Sequence, residues 1–458
     1  MKIINKKKKV VIIGAGIAGL ASAYYFSADP SYEVIVVEKE SFVGGLAHGF
    51  DYKGFHFDFG PHKIATVIPG IVKEMNNVTP LLRVEKRNKI YLKDNYFQFP
   101  LKISQVAKRI PLIAVKAGID LFTKSLSKMP DDSYENYLLN RFGKTLYSLS
   151  FKDYAEKVWN TPGFDLDKEL AIRRVAVSSL AELIKKTLTG DTSGISVNFF
   201  HYPPKGMKQL SDNLKKSIED NGGIIYLQKI VSEIKVKDRK IESLLIGRVR
   251  IKPDYVISTI FPDYLINIIK DSDPAHVKAK VFASKLKYQP VSVLYIILNK
   301  ERALNDCWVF FPEKKFLFHR VSEQKAFSPQ SSPPGKTGLM VETTKEPTKE
   351  NVSIIIDQLK KVGIIKDDSE IEEHFIKTGP RVYPVYLKGF LENLDPTLKY
   401  FDSIKGLYVI GRPGRFNYNN TDQSWDMALQ VYNHVKSGEN SSNWEVLKQR
   451  FDAYRIVD

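Results

Sequence analysis

Residues 10–38 read VVIIGAGIAGLASAYYFSADPSYEVIVVE. An apolar run enters Gly14-x-Gly16-x-x-Gly19, an apolar helical stretch follows, and a second apolar run ends at Glu38. This pattern predicts a strand–helix–strand unit that binds a dinucleotide. Gly14 permits the tight turn, Gly16 lets main-chain N–H groups approach a pyrophosphate, and Gly19 lets helix and strand pack closely. Ile17 and Ala18 open the helix whose N-terminus faces the anion. Glu38 follows Gly19 by 19 residues, a spacing that suits a ribose hydroxyl, and Lys39 comes directly after it. Lys6 to Lys9 before an apolar run have the outline of a secretory leader. The three glycines and the continuation into EVIVVE argue for the nucleotide unit instead.

The remaining composition bounds the answer. At 458 residues, with 43% hydrophobic and 26% charged residues, the chain suits two or three globular domains. No apolar run reaches the length of a membrane span. A lone cysteine, Cys307, excludes a disulfide framework and fits a reducing cytoplasm. No metal-ligand pattern stands out. The net charge of +17 is spread over scattered lysines without a nucleic-acid module, so no specific nucleic acid is expected. Such a surface attracts anionic ligands and suits contact with anionic membranes.

Along the chain, residues 1–75, 206–260 and 405–440 read as a discontinuous nucleotide-binding domain of α/β, Rossmann-like class. Residues 85–200 read as a mainly helical cap, with AVKAGIDLFTKSL and LAELIKKTL at helical spacing. Residues 261–404 alternate strand-like runs such as VSVLYIIL and WVFF with Pro-rich loops, an antiparallel substrate domain. Residues 441–458 read as a C-terminal helix and tail.

Beyond Glu38 a second glycine turn, Gly44-Gly45-Leu46, is followed by GFHFDFGPH, which ends in Gly60-Pro61-His62. Residues 406–429 read GLYVIGRPGRFNYNNTDQSWDMAL, a buried strand, a Gly- and Asn-rich loop, and a helix that Thr421 or Asp422 would cap. This set of motifs resembles the FAD-dependent amine oxidase and protoporphyrinogen oxidase-like superfamily, and within it the UDP-galactopyranose mutase-like branch. The resemblance implies FAD, in a glutathione reductase-type nucleotide domain. It places Val231 near the adenine and His62 near the flavin N5, and gives Arg412, Tyr418, Asn420 and Asp422 to the terminal flavin motif.

Four further segments resemble the mutases. FKDYAEKVWNTP (151–162) matches at Tyr154 and Trp159, and NYFQFPLKI (95–103) matches an active-site strand. LAIRRVAV offers Arg173 or Arg174 for a sugar-nucleotide diphosphate, with Arg174 preferred, and FHRVSEQKAFSP (318–329) places Arg320 as the second diphosphate arginine. Two guanidinium forks suit a diphosphate bidentately. Where the mutases follow an acid with tyrosine, this chain has Glu342 and Thr343; Tyr383 and Tyr386 stand nearby as substitutes.

The resemblance therefore implies a pyranose/furanose isomerase of a nucleotide-diphosphate sugar, acting through reduced flavin N5, with His62, Arg174, Arg320 and Tyr418 at the chemistry. The alternative is an oxidoreductase that takes hydride from its substrate; the segment FSPQSSPPGKTGL (327–339) resembles that branch. A flavin-free inhibitor of small GTPases on the same fold is disfavoured by the intact fingerprint and Gly411-Arg412. A homodimer is compatible with either enzyme.

Overall fold

The computed structural model describes residues 6–99, 101, 103–123, 129–175, 198–439 and 441–456. Its central sheet has five parallel strands in the order Leu407–Val409, Tyr255–Ser258, Lys8–Ile13, Tyr32–Val37, Ile224–Tyr226. Helices cover the sheet, so its strands are apolar almost throughout; Val10, Val11 and Ile12 are fully buried. Helix Ile17–Ser27 packs against helices Thr421–Lys436 and Met207–Asp220. The strands of one sheet thus come from segments near residues 10, 35, 225, 257 and 408.

Residues 224–227 (IIYL) and 230–236 (IVSEIKV) divide between two sheets. Ile224–Tyr226 extends the parallel sheet, whereas Val231–Lys237 joins a four-stranded sheet with Lys240–Ile246, Val249–Ile251 and Ile269–Lys270.

The largest sheet has seven strands in the order Ile371–Val385, Lys287–Leu298, Thr337–Thr343, Arg320–Glu323, Trp308–Phe310, Asn88–Leu92, Asn95–Gln98. Every pair is antiparallel except Trp308–Phe310 against Asn88–Leu92, which run parallel. Two boundaries therefore need correcting. The stretch expected to be mainly helical from 85 onward opens with strands that complete this sheet, and Leu82–Glu85 pairs with Phe199–Tyr202. Helices begin only at Ile103. Short apolar strands whose partners lie some 220 positions away carry no local signal of their pairing. Conversely, helices Pro262–Ile268, Pro274–Ala283, Lys349–Lys361 and Phe390–Asp402 interrupt the region expected to be sheet. Two of them are signalled locally. The Asp273 carboxylate accepts from Ala275 N at 2.7 Å with Pro274 in the first turn, and Thr348 Oγ1 accepts from Asn351 N at 3.1 Å.

The segment LAELIKKTL and residues 193–197 lie outside the described residues, as do Pro100 and Lys102 of the 95–103 strand match. Ser441–Asp452 forms the expected C-terminal helix. Among the described residues no helix is long and apolar enough to cross a membrane.

Candidate active site

The fingerprint end is built from main chain. Gly14 has φ +99°, and a Cβ on Gly19 would stand 2.0 Å from the Gly14 carbonyl oxygen, so the helix meets the turn with no room for a side chain. The second glycine turn folds back onto the first. Gly44 N donates to Ala15 O at 2.8 Å, and a Cβ on Gly45 would sit 2.8 Å from Gly16 Cα. Glu38 fastens the first turn, its Oε2 accepting from Ala15 N at 2.7 Å while its Oε1 accepts from Glu40 N at 2.9 Å. A carboxylate oxygen can accept twice, so Glu38 keeps capacity for a ribose hydroxyl. Lys39 stands exposed beside Glu40 at 3.3 Å.

From this slot a cavity of about 890 Å³ runs to the seven-stranded sheet. Its wall includes Gly14, Gly16, Ile17, Ala18, Glu38, Lys39, Gly44, Gly45, Leu46, Gly60, Pro61, His62, Val231, Gly411, Arg412 and Asn420. Gly19 stands behind the wall and acts through packing. A glycine cradle at one end and a long enclosure beyond it fit an extended dinucleotide such as FAD, and the volume lies within the usual range of ligand pockets.

The helix aimed at this cavity begins at Thr421, and its cap stands one residue earlier than expected. Asn420, not Thr421 or Asp422, is its N-cap, and Asn420 N donates to Gln423 Oε1 at 2.9 Å, the reach-back half of a capping box. Gly411–Gly414 closes into one helical turn instead of an open loop. Arg412 Nε donates to Asn419 O at 2.9 Å, and burial lowers its pKa. Asp422 is 2% exposed behind the wall, and burial pushes its carboxyl up to about 6.

The far end is built from side chains. His62 Nδ1–H donates to Gly60 O at 3.1 Å, the tautomer that a carbonyl partner requires. Burial, reinforced by Arg412, pushes its pKa down to about 4, so Nε2 is an acceptor at neutral pH. Arg320 is gripped bidentately by Glu342, which is paired opposite it on the next strand; Nη2 donates at 2.8 Å and Nε completes the fork. Burial raises the Glu342 pKa, but Arg320 outweighs that and holds the carboxyl below its ordinary value. Arg174 lies over the rings of Tyr418, Trp159 and Tyr383 at 5.4, 5.8 and 5.9 Å. Its neighbour Arg173 turns away, donating to Asn417 Oδ1 at 2.5 Å.

Not every residue singled out from the sequence reaches the wall. Arg174, Arg320, Tyr383 and His62 do. Tyr418 is fully buried behind it, where its hydroxyl donates to Pro384 O and accepts from Trp159 Nε1, both at 2.6 Å. Tyr386 is also behind, its hydroxyl on Phe416 O at 3.0 Å and its ring 4.1 Å from that of Phe390. Tyr154 packs edge-on to Trp159, Phe310 and His319, again outside the lining. Tyr154, Trp159, Tyr386 and Tyr418 thus form a scaffold that holds Arg174 and Tyr383 in place.

Several wall residues carried no sequence signal. Trp308 lines the cavity, its indole N–H buried and without a hydrogen-bond partner among the described residues. Lys377 and Arg381 line it from the strand Ile371–Val385. Asp58 is fully buried, accepting from Tyr202 Oη at 2.5 Å and from Met207 N at 2.8 Å, and so fixes the chain two residues before Gly60. Asp58 stands within GFHFDFGPH, a segment that marks the place without revealing that contact. Among the described residues no cluster could hold a metal ion.

Residues 12–81 match the family model of an NAD(P)-binding Rossmann-like domain. Over 78 residues the chain is 36% identical to a 1-hydroxycarotenoid 3,4-desaturase of Flavobacterium sp., covering 17% of this chain and 15% of that protein. Over 271 residues it is 24% identical to an L-amino-acid oxidase of Crotalus adamanteus, covering 52% and 46%. The chain thus spans less than half the length of these curated relatives. Among solved structures, a reduced UDP-galactopyranose mutase superposes with a TM-score of 0.83 at 19% identity, over 98% of both chains. These relatives are named as enzymes: a desaturase, an oxidase and a mutase. The chain thus carries a Rossmann-like dinucleotide-binding domain within an overall fold similar to that of the solved mutase.

Proposed function

We propose that this chain is a flavin-dependent isomerase of a nucleotide-diphosphate sugar, interconverting pyranose and furanose rings without net oxidation. The observation that carries the reading is the arrival of Arg174, Arg320 and Arg412 from three separate segments at the same cavity as the glycine slot. An amine or carotenoid offers no anionic group to such a set and an amino acid offers one carboxylate, whereas a diphosphate offers two linked anionic groups for several arginines. The likeness to a UDP-galactopyranose mutase over the whole chain supports the same reading.

Bound FAD, once reduced, supplies a ring nitrogen whose electron pair can attack an anomeric carbon. The chain's own work is then positioning. Glu342 occupies Nε and Nη2 of Arg320, so a diphosphate meets the remaining edge at Nη1. Arg174, stacked on its aromatic scaffold, holds the same group from another segment, so the diphosphate is retained while detached from the sugar. Neutral His62 keeps Nε2 as an acceptor for an N–H or O–H at the ring. Val291 and Val293 close the wall and limit water.

The test is to incubate dithionite-reduced protein with UDP-hexoses and separate the products by chromatography. The expected result is furanose formation that needs reduced flavin and consumes no electrons per turnover. Substrate-dependent bleaching of oxidised flavin by amines, with no furanose, would overturn the reading in favour of an oxidoreductase.

A further inference from the structure

The last described residues of the chain reach the cavity. Ile456 is 8% exposed and forms part of the wall. Its N–H donates to Arg173 O at 3.2 Å. That carbonyl belongs to the final turn of helix Lys168–Arg174, where carbonyls have no partner within the helix. One residue earlier, Arg455 O accepts from Gln423 Nε2 at 2.6 Å. Gln423 uses its other end, Oε1, on Asn420 N. A continuous chain of hydrogen bonds therefore runs from the helix start at Asn420, on the cofactor side of the cavity, through Gln423 and the Arg455–Ile456 main chain, to the end of the helix that carries Arg174.

Other contacts hold this strap down. Asp452 receives both bonds from Arg415 Nη2, at 2.8 and 2.9 Å, and Asn417 Nδ2 donates to Phe451 O at 2.9 Å. Tyr454 Oη donates to Asp426, which also meets Arg450 at 2.6 Å. Arg173, the arginine that does not face the cavity, donates to Asn417 Oδ1 beside the strap and so adds a side-chain anchor.

We propose that Gln423 and the Arg455–Ile456 main chain form a clip that positions Arg174 relative to the cofactor-side helix, making them positioning residues for binding a nucleoside diphosphate. The inference rests on the proposed function for the identity of the ligand, but not for the clip itself. Helix Lys168–Arg174 is only seven residues long, too short to hold its own register without a partner at its end. Capping one carbonyl from the tail orients the guanidinium one residue further on.

The test uses the full FAD-loaded chain with UDP as the probe. Two variants are compared with wild type: truncation after Tyr454, and Gln423→Glu, which keeps an acceptor for Asn420 N but loses the donor to Arg455 O. Hydrogen exchange of residues 168–175 is measured alongside UDP titration by flavin absorbance. The expected result is retained FAD, faster exchange in that helix, and about tenfold weaker UDP binding. Either change added to Arg174→Ala should weaken binding no further. Unchanged exchange in both variants, or weakening that adds fully to Arg174→Ala, would overturn the clip. Faster exchange in both variants, with no UDP binding even by the wild-type protein, would leave the clip standing and sink the proposed function. If truncation costs FAD, Gln423→Glu decides alone.

Discussion

At the fingerprint end of the cavity the wall is main chain; at the Arg320 end it is side chain. Gly14, Gly16, Gly44 and Gly45 bring two turns together with no side-chain atoms between them, Gly44 N bonds Ala15 O across them, and Glu38 fastens the first turn at Ala15 N. His62, Arg174, Arg320, Tyr383 and Arg412 reach the other end from five segments, each held by a different partner. Backbone geometry depends on a few glycines within one short stretch. Side-chain geometry depends on tertiary contacts between distant stretches. The two ends are therefore separable, and substitutions should sort by end.

The largest effect should come from the main-chain end. Gly19→Ala places a methyl group 2.0 Å from Gly14 O, a clash with backbone that no rotamer relieves. The variant should purify without flavin absorbance, with its melting transition lowered or lost. Normal flavin content would break the comparison. At the other end, Arg320→Ala should abolish turnover while FAD stays bound. It also strands Glu342, whose side chain is 4% exposed, and removing one partner of a buried pair costs about 3–5 kcal/mol. Adding Glu342→Gln should restore most of the stability seen in denaturant melts but none of the turnover. Loss of FAD from Arg320→Ala would merge the two ends.

The smallest effect concerns His62. Its folded pKa, about 4, lies below the ordinary 6.5, so the unfolded chain takes up a proton that the folded site refuses. Stability should fall as pH drops from about 6.5 to about 4, by on the order of 3 kcal/mol, and be indifferent to His62 above that window. His62→Gln should flatten this slope in unfolding midpoints measured against pH. A turnover profile with an inflection near 6.5 that vanishes in His62→Gln would mean that the imidazole titrates normally.

This division also explains what was legible in the sequence. The glycine fingerprint, the second turn and Gly411-Arg412 are local signals, because a turn with φ near +99° admits little but glycine. Val231 was placed by resemblance, and the structure puts it in the cavity wall. The far end was legible only in part. Arg174 could be preferred to Arg173 but not separated from it, since their directions are set by Tyr418, Trp159 and Asn417 from elsewhere in the chain. Tyr418 and Tyr386 looked like site residues because aromatic residues beside a motif read alike whether they face a cavity or support it. Trp308 escaped notice because nothing local reveals that its strand pairs with Asn88–Leu92.

The strand Lys8–Ile13 has one neighbour, Tyr32–Val37, that follows it almost at once, and another, Tyr255–Ser258, whose first pairing joins Val10 to Tyr255. On the ribosome, at roughly 5–20 residues per second, that second edge waits on the order of 10 to 50 seconds for its partner. Throughout that interval a strand that is apolar from Val10 to Ile13 has an open side, the kind of edge that recruits other chains. FAD cannot shorten the wait, because the walls contributed by Thr259 and Arg412 have not yet been made. Yield of this protein in a cell should therefore depend on chaperone capacity during synthesis more than on flavin supply.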